Sequence, residues 1–292
     1  MPRRLLAAAL LLSACAGPPE PAPQDSPARR VVSQTVLSDE VLWALGPDAR
    51  ARVVGVSALA DDARYSDVAD AWPPAIPRRA LTSEGLLALD PDLAIVASFT
   101  SPEVRALLVA HGVRLLELDR FAGFADYRAH VRRIAAAIDV AAAGEHLLAS
   151  FDAELAALRA RRPAVRLPAV SWGDGWAAGA GTTFDDIAEA AGLSNLAAEQ
   201  GLSGHGAIPL EQLVAWDPAV LVVSCPAGDP DAAACREAER AAASLPGVAA
   251  TRAAQEGRIV AVPARALAST GAGMITAAAV LQARLTPAED PP

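Results

Sequence analysis

Glu84 to Val96 reads E-G-L-L-A-L-D-P-D-L-A-I-V, and Glu211 to Val223 reads E-Q-L-V-A-W-D-P-A-V-L-V-V. Each segment is an acidic residue opening a short amphipathic helix, then an Asp-Pro stop, then an apolar strand, so one supersecondary unit is used twice. A chain built on such a duplication folds as two similar α/β lobes. The cleft between two lobes is a place where a small ligand sits.

Working outward from the first unit, residues 31–33 and 53–56 are apolar strands, with a helix over 39–45 between them, capped by Ser38 and ended by Gly46 and Pro47. A polar, aromatic loop over 57–77 carries Tyr65 and Trp72. Beyond the unit, a helix over 102–111 stops at Gly112 and a strand returns over 113–118. Strands alternating with helices at this spacing predict a parallel sheet. From 124 to 162 the pattern changes to Pro-free helices rich in Ala, Leu and Arg; the last, 143–162, can run until Pro163 and would act as a stiff spacer. The second half repeats the scheme. It has a strand over 165–172, a Gly-rich segment, a helix over 184–191 capped by Thr183, a loop over 201–206 and the second unit. A helix over 236–243, a strand over 258–262 and a helix over 273–285 complete it. The expected architecture is therefore α/β: two Rossmann-like lobes with mainly parallel sheets, 29–141 and 164–287, joined by one long rigid helix over 142–163, with a tail at 288–292.

At the amino end, M-P-R-R and the apolar run Leu5 to Leu12 read as a secretory signal over 1–14, too short to span a bilayer as a mature helix. Leu12-Ser13-Ala14-Cys15 follows and resembles the lipobox of bacterial lipoproteins, which would make Cys15 a lipidated first residue and residues 15–28 a Pro-rich tether. Export leaves Cys225 and Cys235 as an even remainder, either a disulfide around a short loop or two unrelated thiols; no His lies near them in sequence to suggest a metal site. With 53% hydrophobic and 20% charged residues the chain is not disordered, and a net charge of −9 argues against a nucleic-acid partner. All 25 basic residues are Arg, which excludes a phosphate-loop Lys and a Schiff-base Lys together.

R-V-V-S-Q-T-V-L-S-D-E-V-L-W-A-L-G at 30–46, R-V-V-G-V-S at 52–57, the two E-x-L-x-A-x-D-P style units, and G-R-I-V-A-V-P at 257–263 stand in an order that resembles one family. It is that of the periplasmic solute-binding proteins serving ABC importers of iron-siderophores, cobalamin and haem. The resemblance implies a monomer in the periplasm or cell envelope, anchored through lipid on Cys15. Such a protein hands a metal chelate, ferric siderophore or cobalamin before haem, to a permease and its ATPase. It implies that Glu84 and Glu211, besides complementing their helix dipoles, dock onto permease Arg residues. It implies no cofactor and no resident metal.

In such a fold the ligand lies at the carboxyl ends of the parallel strands. Loops there carry Tyr65 and Trp72 from one lobe and Trp172, Trp176, His205 and Arg265 from the other, with aromatic faces for a bulky, partly planar ligand and Arg265 for its acidic groups. His205 is a candidate axial ligand to a metal already held in a macrocycle. His111, His130 and His146 are expected away from the cleft, and Trp43 and Trp216 in the core. Two alternatives are weighed against this reading. One is an exported dinucleotide-binding oxidoreductase, resting on Gly173, Gly175 and Gly179 after a strand. The other is a lipid-anchored scaffold without a transport role.

Overall fold

The computed structural model describes residues 26–79, 83–226 and 228–285; the signal, Cys15, most of the tether, the side chain of Glu84 and the tail at 288–292 lie outside them. Strand and helix alternate as expected, and they build two separate sheets. In the first half the order is β1 (Val31–Ser33), α1 (Val36–Ala44), α2 (Pro47–Arg50), β2 (Val53–Ser57), β3 (Arg78–Arg79), α3 (Ser83–Leu87), β4 (Leu93–Ala97), α4 (Pro102–Ala110), β5 (Arg114–Leu118) and α5 (Phe124–Ala137). The linker helix α6 (Ala141–Ala160) follows. The second half runs β6 (Leu167–Gly173), β7 (Trp176–Ala178), α7 (Thr183–Ala191), β8 (Leu193–Asn195), α8 (Leu196–Glu199), β9 (His205–Ala207) and α9 (Leu210–Trp216). It closes with β10 (Val220–Cys225), α10 (Ala233–Ala243), α11 (Arg252–Gln255), β11 (Ile259–Pro263), α12 (Ala264–Leu267) and α13 (Gly273–Leu285).

The first sheet, β3-β2-β1-β4-β5, is parallel throughout. The second, β11-β10-β6-β7-β9 with β8 alongside β6, is parallel except for the antiparallel β7 and β9. The duplicated unit is α3–β4 in one lobe and α9–β10 in the other, and its Asp-Pro stop has one geometry twice: Asp90 at φ 48° and Asp217 at φ 46°. Asp is among the few side chains that tolerate this left-handed turn, and the Pro after each prevents the helix from continuing. Asp217 then fixes the turn by accepting the Arg252 backbone N–H at 2.7 Å.

Two expected caps shift, one by three residues and one by a single residue. Helix α1 starts earlier than read, with extended Thr35 as its N-cap: Thr35 Oγ1 accepts the Ser38 N–H at 3.0 Å and Ser38 Oγ accepts the Thr35 N–H at 3.3 Å. Ser38 is thus the reciprocal partner in a capping box rather than the cap. Thr182, not Thr183, precedes α7, and its hydroxyl donates to Gly179 O at 2.7 Å.

The linker helix is a packed element rather than a bare spacer. Leu148, Phe151, Leu155 and Leu158 are buried along it, each large apolar side chain contributing roughly 2 kcal/mol. Phe151 meets Phe124 at 5.7 Å and Tyr127 at 4.7 Å on α5. Gly144 lets α5 approach, since a Cβ there would stand 2.7 Å from that of Ala135. On the other side, Glu189 of α7 takes Arg159 at 2.6 Å and also Arg162, and Gln282 of α13 donates to Leu158 O at 3.1 Å. Cys225, ending β10, is disulfide-bonded to Cys235 in α10. Among the described residues no helix is long and apolar enough to cross a membrane.

Candidate ligand cleft

Four parallel strands of the first sheet end on one edge, and the residues just past those ends form a single wall. Gln34 and Thr35 follow β1, Ala58 and Leu59 follow β2, Phe99 follows β4 and Phe121 follows β5. With Val36, Leu37 and Ser57, and Thr270 from the segment between α12 and α13, they line a cavity of about 580 Å³. That volume lies in the range of small-molecule sites. Phe99 is 78% exposed, its ring 6.1 Å from that of Phe121, so the wall holds an aromatic surface with no protein covering it.

A smaller cavity of about 150 Å³ shares Val36, Leu37, Leu59 and Thr270 with the first and adds Glu40, Tyr65, Arg265 and Ser269. The cleft therefore has an apolar body and a polar end. At that end the lobes meet through charge: Arg265 Nε lies 3.0 Å from Asp67 Oδ1 of the opposite lobe. Glu40 accepts the Asp67 backbone N–H at 3.0 Å. Burial pushes the Glu40 carboxyl up to about 7; the Asp67 N–H bond and Arg265 oppose the shift, and the Asp67 and Asp39 charges add to it. Burial likewise raises Asp39 to about 6, although Ser57 Oγ donates to it at 2.6 Å and the Ser57 N–H at 3.2 Å.

Of the residues singled out from sequence, Tyr65 and Arg265 come together in this polar end, Tyr65 being 44% exposed. Trp72 does not belong there. It is 3% exposed and packs edge-on against Trp43 at 5.2 Å, so the loop turns this ring into the core, where it offers no face to a ligand. Trp172 is half-buried, its Nε1–H donating to Ile208 O at 2.8 Å.

The Gly-rich segment and the loop after it were expected to lack strands, yet they form an antiparallel ribbon, β7 and β9. Asp174 and Gly175, at φ 50° and 81°, make the two-residue hairpin turn from β6 into β7. Of the three glycines, Gly175 thus serves the turn, Gly173 ends β6, and Gly179 leaves room for the Leu202 carbonyl; none forms a dinucleotide loop. The register Trp176↔Ala207 and Ala178↔His205 puts Trp176 and His205 on one face of the ribbon, both exposed, and neither borders the two cavities above.

His111 and His146 are exposed. His130, expected away from the cleft, is buried directly behind the wall, 5.4 Å from the Phe121 ring, with Nε2 against Arg120 O. Among the described residues no cluster of three His, Cys, Asp or Glu could hold a metal ion. Phe99, Phe121 and Glu40 were missed from sequence; the first two carried a signal, since each follows closely on a strand that was correctly read. Glu211 is exposed at the second position of α9, and Glu84 holds the same position in α3.

Two lobes, each a mainly parallel sheet, with a ligand-sized cavity at the strand ends of the first lobe that Thr270 of the second also borders, define a two-lobed binding protein. The chain belongs to the periplasmic binding protein family, whose model matches residues 31–266. Among solved structures, the periplasmic haem-binding protein BhuT in complex with two haems is similar at 29% identity and a TM-score of 0.71, over 89% of this chain and 98% of that one. A periplasmic haem-binding protein from Pseudomonas aeruginosa is 28% identical with a TM-score of 0.67, over 90% of this chain and 95% of that one. RhuT from Roseiflexus sp. RS-1, also a periplasmic haem-binding protein, is 26% identical with a TM-score of 0.69, over 88% and 98% respectively. No curated protein matches the chain. The chain is thus a substrate-binding protein of the ABC-importer class, placed in the periplasm or cell envelope. Its family consists of solute-binding proteins rather than enzymes and works with a permease and its ATPase.

Proposed function

We propose that this chain captures haem and delivers it to the permease without performing chemistry on it. The observation that carries the proposal is the cleft's division into an apolar body and a polar end. Phe99, Phe121, Leu59 and Val36 present an apolar surface suited to a flat macrocycle, and Arg265 stands where the acidic arms of such a ring would reach. Tyr65, lining the same space, carries a phenol oxygen, a donor suited to ferric iron. A ferric hydroxamate is polar over most of its surface and gains little from apolar walls, while the corrin of cobalamin carries amides in place of carboxylates on its ring edge and has its one phosphodiester on the nucleotide loop, away from that edge. Haem therefore moves ahead of the siderophores and cobalamin that the sequence favoured. The names of the relatives above support the same cargo.

Trp176 and His205, exposed together on the ribbon of the second lobe, lie outside the two cavities and would meet only a part of the ligand that extends beyond them. Glu84 and Glu211 engage the permease from equivalent helices, and lipid on Cys15 keeps the monomeric chain beside it. The test is a titration of the purified chain with ferric haem, cyanocobalamin and a ferric hydroxamate siderophore, read by haem absorbance and Trp fluorescence. Haem should bind at least about tenfold more tightly than either competitor, a margin of about 1.4 kcal/mol. Tighter binding of a competitor, or no binding of any, as a scaffold would show, overturns the proposal.

A further inference from the structure

We propose that Glu40 couples capture of an acidic ligand to a proton: as a ligand carboxylate pairs with Arg265, Glu40 takes one proton from solvent, and it returns that proton on release. The inference rests on the cargo reading above and adds to it a chemical consequence. One O–H bond forms on the carboxylate and one breaks in the solvent donor; nothing is oxidised or reduced.

The geometry is one of too many anions around one cation. In the polar end, Arg265 is the one guanidinium among the described lining residues; it faces Asp67 at 3.0 Å and shares its cavity with Glu40, while Arg64 stacks on Tyr65 at 5.4 Å and pairs with Asp62. A ligand carboxylate arriving at Arg265 would be the third there. Charge repulsion is relieved by protonating whichever carboxylate is worst solvated. Asp67 is about two-fifths exposed and ion-paired, so water and Arg265 both offset its charge. Asp39, on the same helix as Glu40, keeps two donors from Ser57 and does not line the cavity. Glu40 lines the cavity and has the Asp67 N–H as its hydrogen-bond donor. Around it, the loop over 58–77 brings Asp67 and Tyr65, α12 brings Arg265, and α5 brings Tyr127, whose phenol burial pushes to higher pKa. The segment between α12 and α13 brings uncharged Ser269 and Thr270, with Gly271 close to Glu40 Oε2.

With the free carboxyl already raised to about 7, an added anion raises it further, so the bound state holds more protons than the free state above neutrality. Affinity is then level below pH 7 and weakens as pH rises through and above it. For one linked proton, the Kd for ferric haem should be about tenfold weaker at pH 8 than at pH 6. Calorimetry in two buffers of different ionisation heat should show close to one proton taken up at pH 8. Glu40→Gln keeps an acceptor for the Asp67 N–H and should hold the Kd within about twofold over that range, with no uptake from this group. Glu40→Asp, which still titrates, should restore a slope. Haem dimethyl ester, lacking carboxylates, should bind without the linkage, and the iron's own titrations are common to the variants. Equal pH slopes and equal proton uptake in wild type and Glu40→Gln overturn the role of Glu40 while leaving haem as the cargo. Absence of haem binding at every pH overturns the cargo reading and this inference with it.

Discussion

Phe99→Ala tests whether the ligand's body lies on the wall formed at the ends of β4 and β5. An aromatic side chain presents about 150–250 Å² of surface, and that of Phe99 is 78% exposed in the ligand-free cleft. A planar ligand covering half of the exposed ring removes roughly 75 Å² from water, which at ~25 cal/mol/Å² contributes about 2 kcal/mol. The Kd for haem should rise by about 30-fold. Because the ring has little protein packed on it, the melting temperature should stay within a degree or two of wild type, unlike truncation of buried Phe151. The assay is a haem titration read by absorbance beside a thermal melt. A Kd within twofold of wild type, with the melt unchanged, would refute the placement of the ligand against this wall. A lowered melt would instead mean that Phe99 supports the fold.

Removing the disulfide by Cys225→Ser with Cys235→Ser frees a short loop, a sequence separation of 10, and should cost about 2–3 kcal/mol, lowering the melting temperature by several degrees; a melt insensitive both to the double change and to reductant would show the bond to be idle. In cells, reversing Glu84 and Glu211 to Arg should abolish haem-dependent growth with the haem Kd unchanged, and Cys15→Ser should move the chain from the membrane fraction to the soluble one. Normal growth of the double reversal, or unaltered fractionation, would remove the corresponding role.

The duplicated unit was legible because its parts obey local rules: an apolar strand, a Pro that ends a helix, and an Asp able to take the left-handed turn. Asp90 and Asp217 share a dihedral angle as well as a place in the pattern. Helix α13 was also read to its observed ends, Gly273–Leu285. The ribbon of β7 and β9 was missed because three-residue strands carry almost no periodicity, although Asp174-Gly175 is a hairpin signal that could have been taken. Trp72 was misplaced for a different reason. In an irregular loop no period tells a side chain which way to face, and only Trp43, supplied by α1, fixes the answer. Phe99 and Phe121 could have been found by applying the strand-end rule to every strand. Glu40 could not, because its neighbours Asp67 and Arg265 reach it through tertiary folding alone.

Helix α6 is gripped from both sides, by α5 through Gly144 and Phe151 and by α7 and α13 through Glu189 and Gln282. A pivot clamped in this way behaves as a leaf spring rather than a door hinge: its rest position is built in, and bending it stores elastic energy that drives recoil. Were a permease to hold both lobes, the work of parting them would fall on these packed contacts rather than on the unfolding of a loop.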